Sequence, residues 1–147
     1  MFGFLREETD NSENSAKRIA YLEQKYGISF PDILRQLYAA TDSRRIKKCE
    51  ITVDGVSYYP TRLVLLDGVG ANFEFVADDD RVKPMCDIIP SDWYPLASDD
   101  GGNYFYWSSI SHSVYYIYSD AVEKKKLIAQ SIEDFFELLN KSIIKNN

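Results

Sequence analysis

The chain has 147 residues and a net charge of −6, with 45% hydrophobic, 14% aromatic and 27% charged residues. That length suffices to bury one core without disulfides or metals, and it fits a single domain. The negative charge speaks against a general nucleic-acid binder, which needs a basic face to neutralise phosphates, and it suits a basic protein partner better. Cys49 and Cys86 are the only cysteines. Two widely spaced thiols with no CxxC and no His-rich neighbour read as reduced cysteines, with neither a disulfide framework nor a zinc site. Met1-Phe2-Gly3-Phe4-Leu5 turns acidic at Glu7-Glu8 and is too short for a signal peptide. No apolar run approaches a membrane span, so a cytoplasmic protein is expected.

Residues 1–14 are polar after the first few positions and read as a lead-in to one domain over 15–147. The spacing of Ile19, Leu22 and Tyr26 predicts a helix over 15–26, and Gly27 stands where a helix-ending glycine belongs. Ile28-Ser29-Phe30-Pro31-Asp32 restarts a helix, with Ser29 and Asp32 as a capping box and Pro31 in the first turn. That second helix runs to about Ala40 and buries Phe30, Leu34 and Leu37. Arg44, Arg45, Lys47 and Lys48 form a basic run, read as a solvated loop or a partner-facing patch.

The period then changes to two. Cys49–Val53 and Val56–Tyr59 flank Asp54-Gly55, the pair that favours a type I′ hairpin turn, and Pro60 ends the hairpin or marks a sheet edge. Residues 63–66 and 72–76 fit either strands or single helical turns, and Asp78-Asp79-Asp80 lies in a polar loop. Trp93–Ala97 and Tyr104–Trp107 are aromatic strands about the Asp99-Asp100-Gly101-Gly102-Asn103 turn, followed by a strand at Val114–Tyr118. A Lys-rich loop is expected next, then a closing helix announced from Ile128 and capped by Ser131 with Asp134. The order helix, helix, strands, helix gives an α+β fold, a mostly antiparallel sheet with helices packed on one side.

No familiar catalytic constellation stands out. His112, the only histidine, sits among serines, but neighbours in sequence are not a triad and no GxSxG elbow is present. A turn histidine is therefore the preferred reading over a hydrolase base. Asp99, Asp100 and Asn103 fail calcium-loop spacing, since position twelve falls on Ile110. No cofactor is implied. The aromatics of the central strands must occupy both sheet faces, so one face packs on helices while the other is open to a ligand or a protein.

Taken in order, several pieces resemble the SUKH superfamily. They are Tyr26-Gly27-Ile28-Ser29-Phe30-Pro31 before a helix, Tyr94-Pro95-Leu96-Ala97-Ser98-Asp99-Asp100-Gly101-Gly102-Asn103-Tyr104, Val114-Tyr115-Tyr116, and Ile128 to Phe136. The sequence departs at Thr41-Asp42-Ser43, where Asn-Gly is common, and at Ile132, where Phe is usual. The resemblance implies an α+β binding domain without catalytic residues. Its bacterial members are commonly immunity proteins that neutralise a toxin, often a nuclease, and its fungal relatives are regulatory modules in cell-wall signalling. The expected function is stoichiometric occlusion of a cognate, basic toxin. Asp78, Asp79, Asp80, Asp99 and Asp100 are expected to steer the partner, with Tyr58 and Tyr104 as exposed anchors. The alternative is a regulatory or small-ligand module, carbohydrate included, that uses the aromatic sheet face.

Overall fold

Chain breakers set the helix ends. A computed structural model describes residues 2–6, 12–40, 44–65, 92–118 and 121–144. Helix α1 runs Ser12–Tyr26, starting earlier than the apolar spacing suggested. It stops at Gly27, whose φ of 63° is strained for any residue with a Cβ. The Ile28 N–H then donates back to the Glu23 carbonyl at 3.1 Å, satisfying an orphan acceptor at the helix end. Helix α2 is Asp32–Ala40, with Pro31 immediately before it. The expected Ser29 capping box is corrected here: the Ser29 hydroxyl accepts from Arg35 Nη2 at 3.0 Å. Glu23 instead ties the junction, accepting from the Phe30 N–H at 2.9 Å and pairing with Arg35 at 2.5 Å.

The Asp54-Gly55 turn behaves as its composition predicts. Both residues have positive φ, 52° and 80°, and the turn joins β1 (Ile51–Val53) to β2 (Val56–Tyr58) in a two-stranded sheet. Pro60 opens β3 (Pro60–Leu63), an outer strand of the second sheet, where a missing N–H costs little. That sheet is antiparallel in the order β3, β4 (Trp93–Asp99), β5 (Tyr104–Ser108), β6 (Val114–Tyr118), β7 (Ala121–Ala129). Strand β7 corrects the expected Lys-rich loop, since Lys124, Lys125 and Lys126 lie inside a nine-residue strand. Ile128 and Ala129 end that strand, so the closing helix α3 begins only at Ile132 and runs to Lys141. Ser131 caps it, its hydroxyl accepting from the Asp134 N–H at 3.0 Å.

Period-two geometry sorts the strands' aromatics. Phe105 and Trp107 on β5 pair with Tyr116 and Val114 on β6, and these four face the helices. Phe30 meets Trp107 at 5.4 Å between ring centroids, and Phe105 meets Phe135 of α3 at the same separation. Phe4, from the chain's first residues, packs at 4.8 Å on Phe136. Among the described residues one core joins the three helices to one sheet face, the α+β arrangement expected from the element order. Trp107 is 1% exposed, and its Nε1–H has no acceptor among the described residues. An unmet donor costs about 1–3 kcal/mol. Burying roughly 200 Å² of indole returns about 5 kcal/mol, so burial wins.

Two substitutions test this assembly by urea unfolding. Ser131→Ala removes the cap of α3 and lowers stability by about 1 kcal/mol. Phe135→Ala opens a cavity under β5 and costs about 3–5 kcal/mol. Equal, small effects from both would contradict the core assignment.

Candidate interaction surface

The β4–β5 turn is built around one carboxylate. Asp99 Oδ1 accepts from the Gly101 N–H at 2.9 Å and the Asn103 N–H at 3.0 Å, folding the turn back onto its own strand. Gly102 takes a φ of 80° in that turn, which its lack of a Cβ permits. Asp99 Oδ2 accepts from the Tyr116 hydroxyl of β6 at 2.7 Å. Burial first, then this bond to a carboxylate, holds the Tyr116 phenol well above its ordinary range. Asp100, next to it, is exposed at the tip, and Tyr104 is half-buried where β5 begins. The turn therefore separates two adjacent acids by role: Asp99 organises the backbone, and Asp100 faces solvent.

The other expected residues fall elsewhere. Tyr58 is 5% exposed and packs edge-on to Tyr116 at 4.7 Å, which corrects the expectation of an exposed ring. It joins the first hairpin to the sheet's core face. Asp78, Asp79 and Asp80 lie outside the described residues. The structure thus brings Asp99, Asp100 and Tyr104 together at one hairpin and leaves Tyr58 inside.

A second cluster lies on the aromatic sheet face and includes Lys125 from β7, the one member that sequence reasoning places in a loop. On the sheet face turned away from the helices, Trp93 of β4 stacks on Tyr115 of β6 at 4.3 Å and 10° between planes. The Lys125 ammonium of β7 stands 5.2 Å from the Trp93 ring centre, a cation–π distance. Tyr106 lies beside them, 6.3 Å from Trp93, and reaches Tyr104 at 6.1 Å. A continuous aromatic ribbon thus runs from Trp93 to Tyr104 at the acidic turn. Lys126, on the opposite face, pairs with Asp54 of the type I′ turn.

His112 occupies the β5–β6 turn at a φ of 67°, exposed, with its N–H donating to the Ser108 carbonyl at 2.9 Å. Its ring contacts Trp107 at 6.0 Å. Ser108 Oγ donates to Asp92 at 2.6 Å and accepts from the Ile110 and Ser111 N–H groups, so that hydroxyl is spent on the turn. Cys49 is buried, which pushes its thiol up to about 11 and leaves it unreactive at neutral pH. Among the described residues no His, Cys, Asp and Glu cluster could hold a metal ion, and no helix is long and apolar enough to cross a membrane.

The described residues form an α+β domain with an acid-tipped hairpin and, on the sheet face turned away from the helices, a run of aromatic rings. A family model, SMI1 / KNR4 family (SUKH-1), matches residues 13–138. The chain belongs to that family. No curated protein matches it.

Two predictions follow from the turn and the thiol. Asp99→Ala strands the Tyr116 hydroxyl and frees the turn, costing about 1–3 kcal/mol in urea unfolding. Asp100→Asn changes stability by less than about 0.5 kcal/mol. Because the folded state holds the Cys49 proton more tightly than the unfolded chain does, stability falls as pH rises from 9 to about 11. Cys49→Ala flattens that part of the profile, and an unchanged slope would refute the assignment.

Proposed function

We propose that this protein is an immunity protein that binds a cognate toxin in the cytoplasm and neutralises it by stoichiometric occlusion. The observation that carries the reading is the SMI1 / KNR4 (SUKH-1) match across residues 13–138. Such a protein needs no catalytic group, only a surface that its partner fits. The net charge of −6 favours a basic partner and accelerates encounter with it. Asp100, at the exposed tip, and Asp78, Asp79 and Asp80 supply the attraction. Tyr104 supplies apolar contact area beside Asp100, and Asp99 holds the turn in a binding-ready shape, which lowers the ordering cost of association.

The alternative is a small-ligand or carbohydrate module on the aromatic ribbon. The stack of Trp93, Tyr115 and Lys125 is the observation that favours it. Trp93 and Tyr115, however, already turn one ring face toward each other, so a sugar has less free platform there. Sugar titrations that leave Trp93 and Trp107 fluorescence unchanged count against this alternative.

The test is a binding titration against toxin domains encoded near its gene, where such domains are found, with the toxin's activity measured in parallel. One-to-one capture with loss of toxic activity is expected. Changing Asp100 together with Asp78, Asp79 and Asp80 to Asn slows association and flattens its salt dependence. Unaltered association kinetics in that variant would remove these acids from the encounter.

A further inference from the structure

The exposed place expected of Tyr58 falls to its neighbour. Side chains alternate along an extended chain, so the inward turn of Tyr58 sends Tyr59 outward, where it is 52% exposed. Pro60 follows with its φ fixed by its own ring, and it pairs with Asp99 across β3 and β4. Tyr59 and Asp100 stand one residue beyond that pair, and both line a cleft of about 560 Å³ at the outer side of β3. Among the described residues no hydrogen bond or ion pair engages the Asp100 carboxylate, and no other ring packs on Tyr59. The two groups are held before a partner arrives. Asp99 closes the turn that carries Asp100, and the buried Cys49 thiol donates to the Pro60 carbonyl at 3.6 Å beside Tyr59. Preorganisation of this kind lowers the ordering cost of association.

A free carboxylate beside a free aromatic ring suits one kind of cation best. A guanidinium sets two parallel N–H bonds on a carboxylate while its planar face lies on a ring. An ammonium offers a point charge and no face. Cations also border the cleft: Arg6, Arg45, Lys48 and Arg62. Arg45 and Arg62 have partners of their own. Arg6 lies on an outlying segment, since its N–H donates to the Arg45 carbonyl and Arg45 bridges Arg62 of β3. At about 4.8 Å per segment its backbone is about 14 Å from β4, beyond the screening length of about 8 Å in physiological salt. Lys48 opposes a second cation at Asp100, and removing it therefore has a predictable sign.

We propose that Tyr59 and Asp100 form one receptor for an arginine side chain of the partner protein, Asp100 bonding the guanidinium edge and Tyr59 covering its face. The receptor lies at the hairpin read as the toxin contact, so its partner assignment rests on that reading. Tyr59 is the residue that makes the site choose arginine over lysine.

The test is a nuclear magnetic resonance titration of the isotope-labelled full chain with N-acetylarginine amide and N-acetyllysine amide, near about 0.15 M ionic strength. The arginine probe is expected to shift the Tyr59, Asp100 and Gly101 amide signals saturably and to bind about fivefold tighter than the lysine probe. Tyr59→Ala abolishes that preference and Tyr59→Phe keeps it. Asp100→Asn weakens both probes, and Lys48→Ala tightens both, each variant being checked for a native circular dichroism spectrum. Equal affinity for the two probes, a preference that survives Tyr59→Ala, or weaker binding in folded Lys48→Ala overturns the proposal. With a toxin that the protein captures, undiminished affinity in Tyr59→Ala overturns the receptor and leaves the immunity reading standing. Arginine selectivity at Tyr59 with no toxin captured supports the receptor and counts against the immunity reading instead.

Discussion

Much of the described surface depends on the Asp99 carboxylate. One oxygen closes the β4–β5 turn, and the other reaches across the sheet to the Tyr116 hydroxyl. A half-buried charge is tolerated only when its lone pairs are met, so turn shape and core packing are tied together. Tyr116 in turn packs on Tyr58 and Phe105, the ring that meets Phe135 of the closing helix. A change at the turn is therefore felt in the first hairpin and in the helix layer. The exposed tip at Asp100 is held by its own loop and, through Asp99, by the core.

Charge is distributed unevenly around that framework. Asp100 belongs to the acidic turn and also borders the basic cleft beside β3. The opposed charges lie at one end of the sheet because β3 pairs with β4 so that Pro60 stands opposite Asp99. A bulge after Pro60 lets Thr61 donate its hydroxyl to the Ser98 carbonyl at 3.3 Å while Arg62 pairs with Ser98. Register, rather than net charge, decides which side chains become neighbours here.

Local chemistry was legible in the sequence wherever it was self-contained. Gly27, Asp54-Gly55 and Ser131 each act through a turn or cap within a few residues, and each does what its residue type dictates. The Ser29 capping box failed because Arg35 engaged both of its side chains, the Ser29 hydroxyl and the Asp32 carboxylate. Strand β7 was hidden because three consecutive lysines mimic a solvated loop. In the sheet Lys125 lies over an aromatic ring and Lys126 pairs with Asp54, so both stems find cover that sequence does not display. The exposed Asp100 was readable as a turn residue. The inward position of Tyr58 was not, because alternation along a three-residue strand gives two equal choices of face and only pairing with the sheet selects one.

The central claim is that the hairpin held by Asp99 is the surface a toxin covers. Amide hydrogen exchange on the complex with the cognate toxin tests this most directly, because it reports position and not merely affinity. The account predicts added protection at Asp100 through Tyr106, with the two N-terminal helices unchanged. Protection confined to the helices or to the basic cleft beside β3, with the hairpin unaltered, would contradict it.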